Sequence, residues 1–219
     1  EAVGSCRWSH ITIFSFHPVK IITTAEGGMA LTNDAELAWQ MRHYASHAIT
    51  RDTERMERDS LGSWYYEQTD LGFNYRITDI QAALGLSQLK RIVEFVEKRN
   101  QLAQLYEHLL EKLPVRCVLV QPDNYSAYHL YVIRLQREHV KRTHREVFEY
   151  LRQNGIGVNL HYFPVHLQPY YRKLGFEEGM FPVAETHAKE AISLPMYPAL
   201  NEHEQDKVVS ILKEALSRV

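Results

Sequence analysis

The sequence predicts an α/β protein in two parts, a strand-and-loop N-terminal portion and a C-terminal α/β sandwich, linked by a long helical stretch. Three observations carry this. Short runs of alternating or β-branched residues recur around 10–16, 129–135 and 192–194. Apolar residues recur at helical spacing from Leu84 to Leu109. Capping and stop residues, Asp34, Thr78 and Gly155, stand where such segments begin or end.

In chain order, residues 10–16 (HITIFSF) alternate in size and branching, which predicts a strand, and 28–32 predicts a second. Asn33-Asp34 offers an N-cap for an amphipathic helix over 35–47, with Leu37, Met41 and Tyr44 on one face. From 48 to 74 the charged residues, Gly62, Gly72 and the Trp64-Tyr65-Tyr66 cluster show no sustained period, so a long loop is expected. Long loops inside compact chains are usually functional or mobile. Thr78-Asp79-Ile80-Gln81 reads as a capping box. A helix should start there and run, with one bend, through Leu84, Leu89, Ile92, Phe95, Leu102, Leu105 and Leu109 to just before Pro114. Beyond it, 115–120 and 129–135 predict a strand pair, 143–154 a helix stopped by Gly155, and 158–162 a third strand. Short helices near Tyr170 and Ala184, a strand at 192–194 and a last helix from Glu202 complete the order. No repeat or low-complexity tract interrupts it. The boundary between the parts should fall near 91–99, giving segments 1–95 and 96–219.

Composition narrows the function classes. The 219 residues carry 25 Lys+Arg against 27 Asp+Glu, a net charge of −2, and 45% are hydrophobic. A chain of that size buries a real core. Its charge lacks the basic excess that a dedicated nucleic-acid binder uses to displace counterions. No apolar run approaches the ~20 residues that span a bilayer, so no membrane partner is expected and the cytoplasm is the expected location. Cys6 and Cys117 are too far apart in sequence for a zinc-ligand spacing and too few for a disulfide framework.

The segment richest in chemistry is Ser15-Phe16-His17-Pro18-Val19-Lys20, followed by Glu26-Gly27-Gly28. A lysine just after a buried strand can be partly desolvated, which frees its amine for Schiff-base chemistry. Taken alone, the same residues also read as a solvated strand end with a small packed serine. Asn74-Tyr75-Arg76 likewise reads as a turn before a helix. His161-Tyr162-Phe163-Pro164-Val165-His166 and Tyr170-Tyr171-Arg172 are dense in rings and cations, suited to aromatic packing or to stacking on a base and pairing with a diphosphate. His161 and His166 lack a third metal ligand at a convincing spacing. His43 and His47 have helical i, i+4 spacing, but Tyr44 occupies the place of a zinc protease's general base. The basic stretch 137–145 reads as a solvated helix start rather than a nucleic-acid patch.

Three of these segments together resemble the DegT/StrS family of sugar-nucleotide aminotransferases, which use pyridoxal 5'-phosphate on the aspartate-aminotransferase fold. SFHPVK…EGG is similar to the family's cofactor-lysine motif, Gly72–Gly85 (GFNYRITDIQAALG) to its second signature, and Ile192-Ser193-Leu194-Pro195-Met196-Tyr197-Pro198 to its C-terminal one. Ser46-His47-Ala48-Ile49-Thr50 and the insertion after it look most like the pseudaminic-acid branch, which aminates C4 of a UDP-linked 4-keto-6-deoxy-N-acetylhexosamine. The resemblance implies that Lys20 carries the cofactor covalently, is displaced by the amino donor glutamate, and then moves a proton between donor carbon and coenzyme. It implies that Ser15 binds the cofactor phosphate, that Asn74 reaches that phosphate from the neighbouring subunit of a homodimer, and that His161, Tyr162 and Arg172 lie near the entrance for a UDP-linked or other nucleotide-linked keto sugar.

The family's glycine-containing phosphate turn, ring-stacking residue and pyridinium-binding Asp lie upstream of the lysine, the Asp by about ten residues before Glu1. The resemblance therefore implies an α/β chain holding the end of the pyridoxal-phosphate-transferase large domain, incomplete, plus the small C-terminal domain. Two further readings stand beside it: a truncated, non-catalytic fragment that does not hold the cofactor by itself, and a small nucleotide-binding or nucleic-acid-binding α/β domain.

Overall fold

A computed structural model of the chain describes residues 1–217. It divides into two compact units, Glu1–Ile92 and Val93 onward.

In the first unit, β1 (Thr12–Ser15) and β2 (Gly28–Leu31) form an antiparallel ribbon with Thr12 opposite Leu31 and Ser15 opposite Gly28. Helix α1 (Ala35–Ala45) follows, and its N-cap Asp34 accepts from the Glu36 and Leu37 amides at 2.8 and 3.0 Å. The helix stops two residues short of the expected end, at a Ser46 cap, and His47 takes a left-handed φ of 61°. His43 and His47 therefore never share a helix face. The buried residue of α1 is His43 rather than its apolar neighbours. Its ring stacks on Trp39 at 4.4 Å and shares a 2.8 Å hydrogen bond with Thr69.

The stretch 46–75 is mostly loop, with a two-residue pairing of β3 (Ile49–Thr50) and β4 (Glu67–Gln68). It is stitched to the end of α1 by backbone bonds. His47 donates to the Phe73 carbonyl, Phe73 to Tyr44 and Tyr75 to Ala45. Tyr44 and Asp70 add a 2.6 Å hydrogen bond, which holds the phenol above and the carboxyl below their usual ranges.

Helix α2 (Asp79–Leu89) opens with the full capping box, Thr78 and Gln81 satisfying each other's amides. The expected bend is a break at Lys90–Arg91, after which α3 (Ile92–Leu110) begins the second unit. The helical spacing read through Leu84 and Leu89 does form helix, with both leucines exposed, as are Ile80 and Leu86. The half-buried face of α2 is Gln81, Ala82, Gly85 and Gln88. Among the described residues, Ala48 is the sole fully buried apolar side chain of this unit.

The second unit holds the contiguous core. A three-stranded antiparallel sheet runs in the order β5 (Val115–Arg116), β6 (Tyr131–Leu135), β7 (Ala191–Leu194). Tyr131, Ile133 and Leu135 alternate inward along β6 and meet Leu102, Tyr106 and Leu110 of α3. Helix α4 (His144–Gln153) begins with a second capping box, Thr143 with Glu146, and ends before Gly155, whose φ of 79° suits the C′ position. It packs on α7 (Glu202–Ser217), and α6 (Pro182–Glu190) packs on β6.

Two expected strands are corrected. The one at 115–120 pairs only over Val115–Arg116, and the one at 158–162 is reduced to a single bridge between Asn159 and Ser193. Asn159 Oδ1 accepts from the Leu160 amide at 2.8 Å, which takes the next donor out of the ladder.

Candidate active site

Lys20 sits at the tip of a turn that leaves the end of β1 and returns to it. Its amide donates to the His17 carbonyl at 2.9 Å, and the turn closes where the Thr24 amide (3.0 Å) and Thr23 hydroxyl (2.8 Å) both donate to the Phe16 carbonyl. Phe16 in turn donates to Gly27, so the neck of the turn is continuous with the β1–β2 ribbon. The residue is half-buried. His17 Nε2 lies 4.0 Å from the Glu26 carboxylate across the same turn.

Ser15 ends β1 and is exposed; its Oγ accepts a long 3.4 Å bond from the His17 amide, and its hydroxyl proton has no acceptor among the described residues. Asn74 is fixed by its bridge to Ser46, and its Oδ1 accepts from Arg76 Nε at 2.9 Å. Because arginine only donates, that bond orients the Asn74 NH₂ outward with no partner among the described residues. The first unit thus offers a hydroxyl and an amide NH₂ able to donate to anionic oxygens, together with a primary amine. These are the groups that a phosphorylated aldehyde such as pyridoxal phosphate requires at its phosphate and carbonyl ends. They fit it.

The second unit places the other three sequence candidates differently. Tyr162 lines an open apolar cleft of about 700 Å³ together with Phe163, Val165, Phe181 and His187. His161 does not line it; its Nδ1 shares a 2.7 Å hydrogen bond with Ser193, and its carbonyl faces His187 Nε2 at 3.3 Å. Arg172 ends α5 (Pro169–Arg172), exposed and outside the cleft lining. The structure therefore joins His161 and Tyr162 only as neighbours, their rings edge-to-face at 4.7 Å.

Behind this cleft lies a buried pair invisible in the sequence because its members are 19 positions apart: His166 and Glu185, 3.0 Å from nitrogen to oxygen. Glu185 also accepts from the Gly179 amide at 2.8 Å and from that of Phe181 at 3.4 Å. Burial alone would raise its pKa, but His166 and these amides outweigh it and hold the carboxyl below the usual range. A carboxyl depressed on folding contributes stability above its unfolded pKa and loses it as pH falls through the folded one. The melting temperature should therefore drop on acidification below pH about 4, and Glu185→Gln should melt several degrees lower at neutral pH while losing part of that acid sensitivity, measurable by thermal scans across pH. Among the described residues, no cluster of three His, Cys, Asp or Glu could hold a metal ion, and no helix is long and apolar enough to cross a membrane.

The fold, with a lysine-bearing turn at a strand end in one unit and a small antiparallel sheet covered by helices in the other, is the fold of known aminotransferases. It superposes on PseC of Helicobacter pylori, an aminotransferase involved in the biosynthesis of pseudoaminic acid, with a TM-score of 0.84 and 30% identity, covering 95% of this chain and 54% of that one. It superposes equally on the PLP-form of Spr1654 from Streptococcus pneumoniae, with a TM-score of 0.84 and 27% identity, over 97% of this chain and 54% of the other. In sequence it is 35% identical to the spore coat polysaccharide biosynthesis protein SpsC of Bacillus subtilis over 93% of this chain and 53% of SpsC. Residues 1–213 match the DegT/DnrJ/EryC1/StrS aminotransferase family, and the chain belongs to that family. It spans about half the length of the curated relatives it matches.

Proposed function

We infer that the protein this chain forms part of transfers an amino group, from glutamate, to a keto carbon of a nucleotide-linked 4-keto-6-deoxy sugar, UDP-linked in the first instance, for surface-polysaccharide or nonulosonic-acid biosynthesis. The observation that carries this reading is Lys20 at the tip of a turn anchored in the β1–β2 ribbon, within a chain matched almost end to end by an aminotransferase family. Pyridoxal phosphate, when bound, supplies an electron sink for the charge that develops at the carbon exchanging its amino group. Lys20 holds the cofactor through its amine and carries the proton to and from that carbon. Ser15 donates its hydroxyl proton to the phosphate, and Asn74 donates its NH₂ to the phosphate of a second copy in a cytoplasmic homodimer. Segments 1–95 and 96–219 serve as the end of the cofactor-binding domain and the small domain. The aromatic cleft at Tyr162, with His161 and Arg172 beside it, receives the nucleotide sugar.

One observation favours a second reading, in which this chain alone does not hold the cofactor: the first unit leaves Ile80 85% and Leu86 62% exposed, apolar surface of the kind that marks a partner site. The experiment that separates the two adds pyridoxal phosphate to the purified chain and to Lys20→Ala, recording the visible absorption band and the native mass. A stoichiometric band that requires Lys20, on a dimer, supports the first reading; no such band supports the second.

A further inference from the structure

The mechanism assigned above uses Lys20, yet nothing in it says what fixes the turn that presents the amine. The turn is joined to the rest of its unit at its neck, residues Phe16, Thr23 and Thr24. On one side the neck is held by the ribbon. On the other it rests on α2, through two contacts that bring together residues distant in sequence.

The Thr23 amide donates to Gln88 Oε1 at 3.0 Å across 65 positions. The same threonine's hydroxyl donates to the Phe16 carbonyl and accepts from the Ala25 amide at 2.9 Å, so its amide and hydroxyl are both engaged, the amide by Gln88 from outside the turn. One helical turn earlier, Gly85 lets the helix backbone lie directly against Thr24. A Cβ at Gly85 would stand 2.7 Å from the Thr24 methyl. Thr24 cannot easily yield, because it is buried and its hydroxyl donates to the Glu26 carbonyl at 2.7 Å. The face of α2 turned inward is thus small and polar, while its leucines point outward. Hydrophobicity did not select that face; the approach to the lysine turn did.

We propose that Gln88 and Gly85 are positioning residues for Lys20, acting through Thr23 and Thr24 to fix the neck of its turn against α2. The proposal rests on Lys20 as the cofactor-bearing lysine for its functional meaning, but its test does not need the cofactor. In the full chain, amide hydrogen exchange at Thr23 and the rate of reductive methylation at Lys20 are measured by peptide mass mapping, with Lys112 and Lys141 of the second unit as internal references.

In Gln88→Leu the Thr23 amide should exchange at least about tenfold faster, and the Lys20 rate should change severalfold relative to the references. Gln88→Glu, which keeps an acceptor at the same reach, should restore both. Gln88→Asn, one methylene too short, should behave like Gln88→Leu and serves if the leucine variant does not fold. Gly85→Ala should alter the Lys20 rate through Thr24. Unchanged Lys20 reactivity in the Gln88→Leu, Gln88→Asn and Gly85→Ala variants, with only the melting temperature lowered, would overturn the proposal, as would failure of Gln88→Glu to restore the Thr23 amide. Loss of the cofactor reading is scored separately, by a visible band that survives Lys20→Ala.

Discussion

On the proposed function, Lys20→Ala should abolish the stoichiometric cofactor band and reduce glutamate-dependent amination of a keto sugar at least about a thousandfold. The roles proposed for Lys20 would vanish together: holding the cofactor through its amine and moving the proton at the carbon being aminated, the second alone worth about 10²–10⁴-fold. The fold should survive. The backbone bonds of the turn, among His17, Phe16, Thr23 and Thr24, do not pass through the lysine amine, so circular dichroism should stay near that of the parent. Lys20→Arg separates charge from chemistry. Guanidinium keeps the positive charge but does not deprotonate and cannot form the bond, so it should be as inactive as the alanine variant. Retained activity in either one removes Lys20 from the chemistry.

The second large effect belongs to Arg99 on α3, which is buried with no carboxylate partner among the described residues. Its Nη1 donates to the carbonyls of Tyr128, His129 and Met196 at 2.9, 3.3 and 3.0 Å, tying two loops to the helix, while its Nε finds no partner. Burial holds its pKa below the usual arginine value. Arg99→Ala leaves three carbonyls short of a donor and a cavity behind, and should cost about 3–5 kcal/mol in denaturant unfolding. Arg99→Lys should cost about 1 kcal/mol or less, because an ammonium carries three donors for three carbonyls and abandons no Nε–H. Equal losses in the two variants would mean that packing of the guanidinium plane, rather than donor count, holds the loops.

The order of elements was legible wherever the signal was local. Both capping boxes, at Thr78 and Thr143, and the stop at Gly155 depend on residues three or four apart, and each stands where the sequence places it. The alternation along β6 likewise survives because that central strand has one face on the core. What failed depended on partners. The helix read through Leu84 and Leu89 is present, but a period does not state which face turns inward, and in α2 the face against Thr24 carries Gly85. The strand read at 158–162 had suitable residues but only Ser193 to pair with. In the site, the lysine motif was readable as a string, whereas Gln88 under Thr23 and Glu185 against His166 join residues 65 and 19 positions apart and have no local signature.

The sheet of the second unit also bears on how the chain folds. Helices α4, α5 and α6 lie in sequence between β6 and β7, and the Arg134–Glu190 ion pair at the end of that pairing closes a loop of 56 positions. Closing so long a loop costs entropy before any contact compensates it, and non-local pairings of this kind slow folding. The Ile133–Ile192 pairing is of that non-local kind, whereas α4 with its own capping box is local, and helices of this sort form within a microsecond or so. Substitutions along the β6–β7 seam should therefore slow folding, and those in the capped helices should mainly speed unfolding, both read from the two arms of a denaturant chevron.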